Sequence, residues 1–247
     1  WGLGYFGQPH IIVRFMALRS AGEAVRARRI GISWMVFSLL GAVATALVGL
    51  AYFRGRGEGL DNPETVFIEL GQAVFHPLVA GVMLAAVLAA IMSTISSQLL
   101  VTSSALVEDI YQAVFRTAAS QRSLVLLGRL AVLVVALVAI WLAWAQDNTI
   151  LGIVAYAWAG FGASFGPVVL LALWWRRLTA SGALAGIVTG AVTVVVWGNI
   201  ESLSSQMYEI VPGFVLSTIA AVVVSLATHR HDPEIEAEFE RSAALAR

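Results

Sequence analysis

Trp1-Gly2-Leu3-Gly4-Tyr5-Phe6-Gly7-Gln8-Pro9 opens the chain and stands out from the strongly apolar sequence around it. Gly2, Gly4 and Gly7 lower the cost of non-helical backbone, while Pro9 lacks an amide donor and disfavours helical geometry at Gln8. The stretch therefore cannot run as one continuous helix. In hydrocarbon, such backbone persists only where protein buries it or where it lines a wet cavity. Interrupted helices at mid-membrane depth are the places where secondary transporters hold their cargo, so this stretch is the first candidate substrate site.

The rest of the sequence supplies the membrane setting. Of 247 residues, 59% are hydrophobic and only 12% are charged, far from the balance of a soluble domain. Net charge is zero and every one of the 15 basic residues is an arginine, so there is no nucleic-acid footprint. Cysteine is absent, which removes disulfides and thiolate metal sites. The chain begins with Trp and carries no charged-then-apolar leader, and it reads as a piece lacking an N-terminal part.

Uncharged stretches of spanning length run over 30–53, 77–107, 124–145, 148–175, 178–200 and 210–228, giving six spans. Arg14, Arg19, Arg26, Arg28 and Arg29 precede the first, Arg116 and Arg122 lie between the second and third, Arg176 and Arg177 between the fourth and fifth, and Arg230 follows the last. Asp61, Glu64 and Glu69, then Asp147, then Glu201 and Glu209 mark the opposite side, with Arg54 and Arg56 as exceptions. By the positive-inside rule the arginine side is cytoplasmic, which places residues 54–76 outside and the C-terminus inside. Residues 1–228 read as the transmembrane domain and 229–247 as a polar cytoplasmic tail. From Pro9 to Arg19 a helix is about 15 Å long, half of a ~30 Å core, so the Gly/Pro break sits near the midplane. Asn62 and Pro63 open a short outer helix over 62–75, with Phe67, Leu70 and Val74 on one face.

A second stretch, Ala89-Ala-Ile-Met-Ser-Thr-Ile-Ser-Ser97, lies at the centre of the uncharged run between His76 and Glu108. Ala90, Ser93, Thr94 and Ser97 share one helix face. Neutral hydroxyls and a backbone carbonyl can replace the water of a hard monovalent cation such as sodium without burying excess negative charge. The carbonyl of Ala90 becomes available if the hydroxyls or a local distortion bend the helix. Two other readings stand beside this one: hydroxyls bonding back to their own helix, and small residues admitting a neighbouring helix. Trp1 and Tyr5 likewise fit either a deep pocket or an interfacial aromatic belt.

Three blocks bear on these alternatives: Trp1 to Ala17 with Ala27-Arg-Arg-Ile-Gly-Ile-Ser-Trp34, Ala89 to Asp109, and Ala155-Tyr-Ala-Trp-Ala-Gly-Phe-Gly-Ala-Ser-Phe-Gly-Pro167. Together they resemble the sodium/solute symporter family, its proline-transporting branch most closely, over nearly the whole chain to residue 228. The resemblance implies an all-α polytopic membrane helix bundle, part of the inverted-repeat fold of the bacterial leucine transporter, from half of the sixth core helix to the C-terminal helices. It implies that Trp1, Tyr5 and Pro9 line the substrate pocket, with a half-helix from Pro9 directing unpaired amides into it. Ala90, Ser93 and Thr94 match the family's sodium ligands, the remaining ligands belonging to N-terminal helices of the same protein. Ser97 departs from the cysteine of the proline branch and gets only proximity to the site. The function implied is sodium-coupled uptake of L-proline by alternating access, with the sodium ion co-transported and membrane lipid around the helices.

Gly160 to Gly166 superficially suggests a phosphate loop, but it follows no strand and lacks the Walker lysine, so it reads as close helix packing. His10 reads as a capping or interfacial residue. A membrane sensing module of a signalling protein is the alternative function, and it needs an effector beyond residue 228. An enzyme is not expected: no nucleophile with a base and orienting partner appears, nor a metal-ligand cluster.

Overall fold

The computed structural model describes residues 1–57, 59–112, 121–144, 149–230 and 233–245. Among them the secondary structure is helical: α1 Pro9–Met16, α2 Ala21–Gly55, α3 Val66–Val74, α4 Pro77–Ser104, α5 Gln121–Trp144, α6 Ile150–Trp174, α7 Ala180–Asn199, the short α8 Glu201–Ser204, α9 Ile210–Thr228 and α10 Pro233–Leu245. Six of these, α2, α4, α5, α6, α7 and α9, are long and apolar enough to cross a membrane. They coincide with the six stretches read from the sequence. Two differences are physical. The polar residues Glu23, Arg26, Arg28 and Arg29 favour helix as well as water, so α2 begins nine residues before its apolar stretch. The third stretch is not free of charge, because Arg129 lies inside α5.

The chain resolves into two units, residues 22–139 and residues 1–21 with 140–247. In the first, α2 ends at Gly55, and Gly57 just beyond it turns the chain with a left-handed φ of +72°. Arg56, an exception to the charge alternation, folds back so that its guanidinium bonds the Tyr52 hydroxyl and lies 5.1 Å from that ring's centre. Asn62 caps the next turn as expected, its side chain accepting from the Glu64 amide at 2.9 Å. On the α3 face that carries Phe67, Leu70 and Val74, Leu70 is buried, while Phe67 and Val74 are 42% and 55% exposed. The covered face is Leu70 with Gly71, against Gly49 of α2 and Met83 of α4. His76 Nδ1 caps α4 at 3.3 Å, with Pro77 in the first turn where its missing amide costs nothing. After Ser104, α4 continues as an eight-residue π-helical stretch, Ala105–Gln112.

In the second unit, α6, α7 and α9 form the core, centred on Ala159, Ala163, Val194 and Ile210. Thr149 and Thr179 cap α6 and α7 by accepting from the Gly152 and Gly182 amides. Without a hydrophobic drive between helices in lipid, close approach rests on small residues. Here they recur every four residues on α7: Gly182 and Gly186 face Ser217, Ala221 and Ser225 on α9, and Gly190 faces Ala163 and Ser164 on α6. The sequence reading did not single out this stripe. Pro167, inside α6, cannot donate to the Ala163 carbonyl four residues earlier. Gly190 sits on that carbonyl, and a Cβ there would lie 2.4 Å from its oxygen. Tyr208 ties the connection before α9 to α6 by donating to the Ala155 carbonyl. Burial, with Glu209 adding to it, pushes the Tyr208 phenol up to about 12, so it remains a donor throughout the physiological range.

Gly190→Ala is expected to lower the thermal unfolding midpoint in detergent by the equivalent of about 1–3 kcal/mol, because the neighbour it meets is backbone and cannot rotate away. Gly160→Ala on α6, which meets nothing within 4 Å, is expected to leave it unchanged.

Candidate functional site

Gly2–Gly7 forms a single 3-10 stretch, Gln8 is extended (φ −87°, ψ 111°), and α1 starts at Pro9. The break expected at Gln8-Pro9 is therefore present, and the half-helix is eight residues rather than eleven. Ile11 and Ile12 both donate to the Gln8 carbonyl at 3.0 Å. That corrects the expectation of several free amides at the start of α1. Pro9 has none, and two of the next three are taken.

What holds the broken stretch is α6. The Trp158 indole N–H donates to the Trp1 carbonyl at 2.9 Å, and the buried Gln8 side chain donates to the Trp158 carbonyl at 3.2 Å. The Trp158 ring stands 5.4 Å from that of Trp1, tilted by 34°, and 4.9 Å from that of Tyr5, edge to face. Beneath the rings the two backbones touch. Cβ atoms on Gly4 or Gly7 would fall 1.9 Å from Trp158 Nε1 or 2.3 Å from the Phe161 carbonyl oxygen, and one on Gly162 would fall 2.5 Å from the Gly4 Cα. Thus Gly162 and Gly166, read from sequence as packing residues in a helix, serve that role against the broken stretch itself. Trp1 and Tyr5 keep 49% and 47% of their surface exposed, and Pro9 is half-buried. The three predicted pocket residues lie together on one segment, clasped by a tryptophan that the sequence reading passed over.

The hydroxyl stretch lies in the other unit, on α4. Ser93 Oγ and Thr94 Oγ1 both donate to the Ala90 carbonyl, at 2.9 and 3.1 Å. The three predicted ligand oxygens therefore converge. Ser97 bonds one turn on, to the Thr94 carbonyl at 2.8 Å, and Ser96 bonds to that of Met92 at 2.8 Å. The back-bonding alternative is thus realised in this state, but a hydroxyl proton rotates, and turning it away frees an oxygen lone pair toward a cation. The helix is regular over these residues; its departure from α geometry comes later, at the π stretch. The condition under which the Ala90 carbonyl would be released by a bend is not met in this state.

Comparison with known proteins follows the same residues. The model of the sodium:solute symporter family matches residues 1–190, which include the broken stretch, the hydroxyl helix, α6 and the start of α7. The chain belongs to the sodium:solute symporter family. It is 59% identical over 97% of its length to the high-affinity proline transporter PutP of Bacillus subtilis, and 52% identical over 93% to the osmoregulated proline transporter OpuE of the same organism. A sodium/proline symporter of Salmonella typhimurium is 52% identical over 99% of the chain. The chain spans about half the length of each of these symporter relatives. No solved structure matches it.

Gly7→Ala is expected to destabilise the second unit by about 1–3 kcal/mol and to shift the tryptophan emission, since the neighbours of the new methyl are the Phe161 carbonyl and the Gly166 amide. Gly2→Ala, with open space around it, leaves both the thermal midpoint and the emission unchanged.

Proposed function

We propose that this chain carries the cargo site and part of the ion site of a sodium-coupled L-proline symporter of the inner (plasma) membrane. The observation that carries the reading is the glycine- and proline-broken stretch, presenting Trp1 and Tyr5 from irregular backbone that a helix partner supports. A substrate with both a saturated ring and charged groups suits such a place. Aromatic faces take the ring, and backbone polar groups of an interrupted helix take the charges. Trp1, Tyr5 and Pro9 are its proposed contacts, and relatives that are proline transporters point to proline.

Sodium is cargo as well as driver. Ala90, Ser93 and Thr94 are its proposed ligands here, completed by N-terminal helices of a chain of the relatives' full length. Sodium and proline couple by each binding the inward- and outward-facing conformations unequally, so that each raises the other's affinity by the same factor. Residues 1–228 form the membrane domain, and 229–247, which include α10, lie on the cytoplasmic side with Arg176, Arg177 and Arg230. The function is transport rather than catalysis.

The test is uptake of radiolabelled proline into proteoliposomes holding a chain of the relatives' full length that carries these residues. Uptake accelerated by an inward sodium gradient is expected, and uptake indifferent to sodium would overturn the reading. In the same assay Ser93→Ala or Thr94→Ala should raise the sodium concentration for half-maximal uptake about tenfold, a loss of ~1.4 kcal/mol. Trp1→Ala or Tyr5→Ala should weaken proline binding by about the same factor, with less effect on sodium measured without proline. Unchanged kinetics in all four variants would move both sites elsewhere.

A further inference from the structure

The Trp158 clasp lies outside the residues assigned to cargo or ion. We infer that Trp158 is the positioning residue of the substrate site: it sets the place of Trp1 and Tyr5 and makes α6 move with the broken stretch as one body. The inference rests on the substrate reading above for its functional consequence, but its structural part stands on geometry alone.

Three observations carry it. First, a 3-10 stretch followed by an extended residue has few hydrogen bonds of its own, so something outside must hold it, and in a membrane each unmet polar group is costly. Two bonds to α6 do so: the indole N–H to the Trp1 carbonyl and the Gln8 carboxamide to the Trp158 carbonyl. They engage opposite ends of the stretch and meet at one residue. Second, the Trp158 ring contacts both proposed cargo aromatics, so displacing it displaces both. Third, Gly4, Gly7, Gly162 and Gly166 let the two backbones meet with no side chain between them. Contacts of that kind do not slide, because any shift brings a carbonyl or a Cα into overlap. A conformational change that moves α6 must therefore carry the broken stretch along or break both bonds together. The first course keeps the aromatic pair intact.

The experiment uses a chain of the relatives' full length that carries these residues, in a background without other cysteines. Trp158→Phe keeps a ring and removes the N–H. It should raise the proline Kd about tenfold while leaving the sodium half-saturation, measured without proline, close to the parent value. A merely structural role would shift both ligands equally, and that result would overturn the inference. Gln8→Met removes the second bond at similar volume and should act in the same direction if Trp158→Phe fails to fold. A second readout needs no cargo. A Phe6→Cys probe, on a residue 44% exposed, should react with a soluble thiol reagent at least about threefold faster when Trp158 is Phe. Faster reaction supports the clasp even if the parent protein binds no proline, a result that would sink the transport reading alone. Unchanged reactivity and unchanged proline Kd would overturn the clasp.

Discussion

The arrangement depends on contact between two backbones with no Cβ between them. Gly4 and Gly7 on the broken stretch meet Gly162 and Gly166 on α6, so an irregular strip of chain lies directly on a transmembrane helix. That proximity brings the Trp1 carbonyl within reach of an indole N–H, and the Gln8 side chain within reach of a helix carbonyl. Without it the stretch would have to satisfy its polar groups from lipid, which offers none. The same economy of side chains organises the unit further on, where glycines of α7 lie against serines and alanine of α9 and against the carbonyl that Pro167 leaves unbonded.

The hydroxyl helix works by a different constraint. A cation buried with several carboxylates is held by strong charge and released reluctantly, whereas a transported ion must enter and leave in every cycle. Ala90, Ser93 and Thr94 offer three neutral oxygens, two hydroxyls about one carbonyl, already close together because the helix period puts residues three and four apart on one face. Their internal hydrogen bonds satisfy them when no ion is present. Under the proposed sodium role, that would keep ion binding moderate.

Much of this was legible in the sequence. The six spans follow from long apolar stretches because the bilayer admits little else, and α9 matches its stretch at both ends, Ile210 and Thr228. The break followed from Gly7-Gln8-Pro9, where local chemistry decides the backbone. What escaped was non-local. Trp158 is 157 residues from the carbonyl it bonds, and no local pattern distinguishes it from Trp141 or Trp174. The four-residue spacing of Gly182, Gly186 and Gly190 was visible and carried the signal for tight packing, but it was not among the features singled out. Ser and Thr back-bonds leave the helix regular at Ala90, and the π stretch at Ala105–Gln112 was not among the features read from the sequence.

A cryo-EM map of a chain of the relatives' full length, with sodium and proline bound, tests the central claim most directly. The account predicts proline density against Trp1 and Tyr5, extended backbone at Gln8, and the Trp158 indole nitrogen within hydrogen-bond distance of the Trp1 carbonyl. A continuous helix through Gly2 to Pro9 turned toward the acyl chains, with proline bound elsewhere, would contradict it.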